Sequence, residues 1–155
     1  MTQEASVDGV LGGFGHVSPV DMSGSKSFLT KLPGVRFDRT IDCGAGIGRI
    51  SKGLLCPLFK VVDLVEQNPV YVAKAREYCA AGAHGDRMGQ YWVRGLQDFE
   101  FDAAAYDVIW IQWVIGHLPD ADFVPFMARC VKGLREKTGL IVLKENKSDD
   151  TPCAY

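Results

Sequence analysis

The sequence predicts an α/β fold, Rossmann-like, with a mainly parallel twisted sheet and helices on both faces. Three observations lead there. After residue 40 the chain alternates short β-branched runs with segments of helical spacing. The glycine-rich stretch "TIDCGAGIGRIS" follows the first of those runs directly. About 20 residues later Glu66 closes the second run with an acid.

The expected strands are Arg39–Cys43, Val61–Val65, Tyr91–Arg94, Tyr106–Gln112 and Leu140–Lys144. Between the second and third, Asn68 is placed to cap a helix and Pro69 to open it, where a missing N–H costs nothing. A later helix carries Phe123, Phe126, Met127, Cys130, Val131 and Leu134 on one face. Asp122 is expected to cap it, which would leave Pro125 in the first turn. That stripe reads as core packing. No internal repeat is present.

Composition narrows the function classes. The chain has 155 residues, 47% hydrophobic and 23% charged, which suits one globular domain. No apolar run approaches the roughly 20 residues of a membrane helix, so no membrane partner is expected. Lysine and arginine number 17 against 19 acids, a net charge of -2, and the basic residues are scattered. Nucleic acid is therefore not an expected partner. Cysteines at 43, 56, 79, 130 and 153 form no CxxC pair, and no metal site is assigned. They read as reduced thiols of an intracellular protein, cytoplasmic and/or nuclear. The start "MTQEASVDG" has neither the basic opening nor the apolar core of an export signal.

Gly44, Gly46 and Gly48 allow a tight strand-to-helix turn that presents bare N–H groups to a ligand. A turn without a ligand would use the same glycines. Glu66 favours a ligand, because its carboxylate suits ribose hydroxyls. The dinucleotide fingerprint would put its third glycine at position 49, where this chain has Arg49. An arginine crowds a pyrophosphate but can pair with a carboxylate. S-adenosylmethionine carries a carboxylate and no phosphate, so the loop favours a methyltransferase over a dehydrogenase. In "GLQDF", Leu96 and Gln97 offer an apolar contact and an amide for an adenine face and edge.

In an open α/β sheet the ligand lies beyond the carboxyl ends of the strands. The stretch "VIWIQWVIGHL" thus splits into buried strand, with Trp110 in the core, and site. Gln112 is directed to the cofactor, Trp113 walls a substrate pocket, and His117 follows a short turn later. The Asp/Asn-Pro-Pro-aromatic stretch of enzymes that methylate bases or glutamine amides is absent from this place, which points to another amine.

The segments "VDGVLGGFGHVS", "DCGAGIGRISK", "GLQDF", "YDVIWIQWVIGHL" and "LIVLKEN" resemble the protein alpha-N-terminal methyltransferases, over about residues 6 to 146. These enzymes use S-adenosylmethionine to methylate the free α-amino group of proteins beginning Xaa-Pro-Lys. The resemblance implies that Gly44, Gly46 and Arg49 bind cofactor, that Glu66 with its neighbour Gln67 holds the ribose, that Leu96 and Gln97 frame the adenine, and that Gln112 completes the site. It implies substrate roles for Trp113, His117 and Asn146, the last two also catalytic. Residues 1–38 correspond to a gating segment over the peptide channel, with Leu11 and Val17 lining it and Val10 near the cofactor. Residues 39–146 then form the cofactor-binding core and 147–155 a short tail.

Methyl transfer requires a neutral, aligned amine. An α-amino group titrates at about 7.7 to 8.0, so a modest base suffices near pH 7, where a lysine would be far harder. His117 suits that proton acceptor, Asn146 could hold the first substrate carbonyl, and Trp113 could stack on the second-place proline. The family continues past the Lys-Asp/Glu-Asn element into an acidic segment, a helix and a closing hairpin, where this chain ends "KSDDTPCAY". Its second catalytic residue, an aspartate, has no counterpart here, and its helical N-terminal extension is also missing. Leu140–Lys144 is then expected as an open sheet edge, with reduced stability or pairing of two chains through it. The expectation is an N-terminal methyltransferase whose activity the shortening impairs. The rivals are a non-catalytic cofactor- or partner-binding fragment and a small-molecule methyltransferase.

Overall fold

A computed structural model describes residue 6, residue 9 and residues 13–146. Five strands, β1 (Arg39–Cys43), β2 (Val61–Glu66), β3 (Met88–Val93), β4 (Val108–Gln112) and β5 (Leu140–Lys144), form one sheet in the order β3-β2-β1-β4-β5. Every neighbouring pair is parallel. Parallel neighbours need long crossovers, and helices supply most of them: a π-helical segment (Ser51–Leu55) running into α2 (Cys56–Leu58), then α3 (Pro69–Ala80) and α4 (Asp120–Gly133). A further helix, α1 (Ser18–Lys31), precedes the sheet. The direction of strand succession reverses between β1 and β4, and the crevice of such a sheet opens at that reversal.

Alternation within β4 divides the core. Trp110 points to one face, with Leu29 of α1, Leu54, Leu55 and Phe59. Ile109 and Ile111 point to the other, with Phe126 and Cys130 of α4 and the aromatic rings of Phe99 and Tyr106. All five residues of β4 are buried, which explains why the stretch is so apolar.

The structure sharpens several expectations. β1 and β5 have the expected bounds, and β2 extends one residue to include Glu66. β3 starts at Met88 rather than Tyr91 and ends at Val93 rather than Arg94; its alternation is weak because all six residues are half-buried or exposed. β4 starts at Val108, since Tyr106 only bridges to Leu134. Asp122 does not cap α4: the helix begins at Asp120, and Pro125 lies inside it. The cap position falls to Pro119, whose carbonyl accepts from the backbone N–H groups of Asp122 and Phe123. Val131 leaves the buried stripe and is 63% exposed. Helix α1 is not among the expected elements, because only Ser25 and Leu29 of its 14 residues are buried and the hydrophobic spacing is correspondingly faint. Among the described residues no helix is long and apolar enough to cross a membrane.

Asn68 caps α3 as expected, its side-chain oxygen accepting from the Val70 N–H at 2.9 Å. Asn68→Ala should cost about 1 kcal/mol, read as a shift of the urea midpoint at unchanged slope.

Candidate active site at the carboxyl ends of β1 and β4

The glycine loop leaves β1 at Gly44. Gly44, Gly46 and Gly48 have φ of 69°, 56° and 81°, the left-handed region that favours glycine. The loop N–H groups are not bare, contrary to the sequence expectation. Gly44 and Ala45 both donate to the Val65 carbonyl, at 2.9 and 3.2 Å, and Gly46 donates to Glu66 Oε2 at 3.0 Å. A phosphate cradle needs these donors free. Their use inside the protein turns the loop away from pyrophosphate binding and toward a nucleoside without phosphate.

Two adjoining pockets share Gly44. One, of about 370 Å³ including its open mouth, is lined by Glu66, Gln67, Leu96, Gln97 and His117 among others. Leu96 is buried and gives an apolar wall, while Gln97 exposes its amide at the edge. Glu66 Oε1 accepts from the Asn68 N–H at 2.9 Å. Each carboxylate oxygen thus holds one backbone donor, and a carboxylate has room for about four. Two acceptor directions remain for a vicinal diol. Arg94 also lines this pocket, and sequence reading did not single it out.

The second pocket, about 440 Å³, is lined by Asp42, Arg49, Gln112 and Trp113. Trp113 sits at φ 54°, an outlier for a bulky side chain, and its backbone N–H donates to the Lys144 carbonyl at 3.0 Å. Such strain clusters at binding sites. Its ring lies 5.0 Å from the Arg49 guanidinium carbon. Arg49 is buried and donates from Nη1 to Ser18 Oγ at 3.1 Å and to Asp21 Oδ2 at 2.8 Å. The Gln112 amide is also engaged: Oε1 accepts from the Trp110 indole at 3.0 Å, and Nε2 donates to both Asp21 oxygens, at 2.9 and 3.0 Å.

Asp21 of α1 is therefore the hub behind this pocket, and sequence reading missed it. Lys144 at the end of β5 pairs with its Oδ1 and donates to Ser25 Oγ at 2.9 Å. The available signal was Asp21 and Ser25 at i,i+4, after Ser18-Pro19. Burial works against ionisation of Asp21, but the hydrogen bonds from Lys144, Arg49 and Gln112 prevail and hold its carboxyl below the usual range. Asp42 behaves oppositely. Its burial dominates, offset by hydrogen bonds from the Ser51 hydroxyl and N–H, and pushes its pKa from 3.8 up to about 6.

Of the other expected residues, Val17 is half-buried just before α1, and Val10 and Leu11 lie outside the described residues. His117 is exposed at the end of a short turn, on the first pocket. Asn146 is exposed, two residues beyond β5, and lines neither pocket.

The profile of the AdoMet dependent proline di-methyltransferases matches residues 1–152. The chain belongs to this family. It is 50% identical over 152 residues to N-terminal Xaa-Pro-Lys N-methyltransferase 1 of Xenopus tropicalis, covering 94% of this chain and 66% of that protein. The counterpart from Danio rerio is 51% identical over 146 residues, covering 91% and 64%. The chain thus spans about two thirds of the length of the curated relatives it matches. A SAM-dependent methyltransferase from Leishmania major superposes with a TM-score of 0.89 at 40% identity, over 96% of this chain and 58% of that one. A phosphoethanolamine N-methyltransferase from Haemonchus contortus shares the fold, with a TM-score of 0.67 at 22% identity, over 96% and 34%.

S-adenosylmethionine, the cofactor of this family of AdoMet-dependent enzymes, fits the two pockets. The free acceptor directions of Glu66 suit its ribose, Leu96 and Gln97 its adenine, and the Arg49 pocket its carboxylate.

The Asp42 environment predicts a pH effect. Its folded pKa of about 6 lies above the unfolded value of 3.8, so the folded state binds the proton more tightly. The contribution of Asp42 to stability is then lost as pH rises from about 4 through 6. Asp42→Asn keeps an acceptor for Ser51 and removes the charge. It should gain on the order of 2 kcal/mol over wild type between pH 4 and pH 8, measured by urea unfolding at both.

Proposed function

We propose that this protein methylates the free α-amino group of proteins beginning Xaa-Pro-Lys, with S-adenosylmethionine as donor. The observation that carries the reading is about 50% identity to relatives named for that reaction, over nearly the whole of this chain. Site geometry supports it. The first pocket accommodates a nucleoside and is lined by His117, and the second accommodates a carboxylate and is lined by Trp113.

When bound, the cofactor supplies a methyl group on a sulfonium, open to in-line attack by a nitrogen lone pair. The chain's own residues orient the partners. Glu66 and the Leu96–Gln97 pair fix the nucleoside end, and Arg49 fixes the amino-acid end. Trp113, held in its strained conformation by the Lys144 carbonyl and stacked beside Arg49, offers a rigid ring face for the substrate proline. His117 takes the ammonium proton at an imidazole nitrogen, directly or through water.

The exposed position of Asn146 favours a second reading, a form that binds cofactor without completing the peptide channel. Titration calorimetry with S-adenosylmethionine, followed by mass spectrometry of a Ser-Pro-Lys peptide in the same sample, separates the two. Binding with a gain of one to three methyl groups is expected. Binding without methylation would establish the second reading, and absence of binding would remove both. His117→Asn should lower the methylation rate by about 100-fold or more, in the range of a lost general base, with little change in cofactor affinity; full activity would remove the base assignment.

Two further parts of the reading concern the cell. The cytoplasm or nucleus is the proposed location, consistent with the four buried free thiols at Cys43, Cys56, Cys79 and Cys130. β5 ends the sheet order, and Leu143 on it is 47% exposed. Pairing of two chains through this edge should appear as a dimer mass in light scattering, and a monomer across micromolar concentrations would contradict it.

A further inference from the structure

Asp21 lines neither pocket, yet it touches two of the polar side chains that the second pocket presents, Arg49 and Gln112. Its side chain and that of Arg49 are each 5% exposed, and their ion pair is 2.8 Å long. A guanidinium has five N–H donors in a rigid plane. Asp21 and Ser18 take the two on Nη1, which fixes the plane. The three on Nε and Nη2 have no partner among the described residues. Gln112 is likewise pinned, its amide clamped between the Trp110 indole and the Asp21 carboxylate.

The unpaired guanidinium donors point to an anion. Two cations, Arg49 and Lys144, share the carboxylate of Asp21. One positive charge is left over beside the second pocket. Asp42, which also lines it, is mostly ionised at neutral pH even with its pKa raised to about 6, but its Oδ2 is committed to Ser51, so it leaves the Arg49 donors unpaired.

We propose that Asp21 is a positioning residue for the amino-acid end of the cofactor: it holds Arg49 and Gln112 in one fixed arrangement, so that the free guanidinium edge receives the cofactor carboxylate, and it ties α1 to that arrangement. The inference rests on the cofactor reading above. It makes α1 part of the cofactor site although no α1 residue lines either pocket.

The test compares two ligands on the intact chain. S-adenosylhomocysteine carries the carboxylate; 5′-methylthioadenosine has the same nucleoside without the amino-acid end. Asp21→Asn should weaken S-adenosylhomocysteine at least 10-fold and leave methylthioadenosine within 2-fold, because Glu66 and Leu96 are untouched. Asp21→Glu keeps the charge that the two cations require for folding but moves it by one methylene. It serves as the second variant and should show the same selectivity at smaller size. Placed on Arg49→Met, Asp21→Asn should have no further effect on S-adenosylhomocysteine. Equal weakening of both ligands in both Asp21 variants would make Asp21 a structural latch and overturn the proposal, as would unchanged affinity for both. If the wild type itself binds neither ligand, the cofactor reading fails; if it binds both and the variants show no selectivity, this inference alone fails.

Discussion

The hydrogen bonds between the glycine loop and the end of β2 set the position of everything around the candidate site. Val65 presents its carbonyl to Gly44 and Ala45, and Glu66 presents a carboxylate oxygen to Gly46. The loop is thereby bent back over β2, at φ values that side chains resist. A Cβ on Gly44 would run into Val114, and one on Gly48 would come within 2.6 Å of the Cys79 sulfur. The same contacts that shape the loop consume its donors, and a carboxylate, Glu66, is left lining the first pocket.

Electrostatics divides the site into two regimes. At Asp21, desolvation is overcome because three donors converge on one carboxylate; at Asp42, one serine supplies the partners and desolvation prevails. Buried charges of this kind contribute little net stability, since the attraction only offsets the cost of leaving water. Their consequence is geometric. Arg49 cannot move without giving up Asp21 and Ser18, and α1 cannot lift without exposing Arg49. The junction of sheet, loop and N-terminal helix is held by charge rather than by apolar area, as the sparse burial of α1 shows.

Much of this was legible in the sequence where a local signal and a tertiary role coincide. β1 and β5 were bounded correctly because β-branched runs end at glycine or polar residues, and α3 because Asn68-Pro69 encodes its own start. The pocket residues Gly44, Glu66, Leu96, Gln97, Arg49 and Gln112 were identifiable because strand ends converge on one crevice. What escaped depends on long-range partners. Asp21 lies 28 residues from Arg49, 91 from Gln112 and 123 from Lys144. No spacing rule connects such positions. The cap of α4 failed for the opposite reason: Asp120 and Asp122 give the same local signal, and the backbone chose Pro119 as the boundary. Trp113 was assigned a wall by its place in the chain, but its left-handed backbone is invisible in sequence.

One nucleoside cofactor should span both pockets across Gly44, and a crystal structure of the chain with S-adenosylhomocysteine would show it. Expected are ribose hydroxyls on Glu66, adenine against Leu96 and Gln97, and the carboxylate on the free edge of Arg49, with Asp21 still bound to Nη1. A ligand seated elsewhere, or one whose carboxylate displaces Asp21 from Arg49, would contradict it.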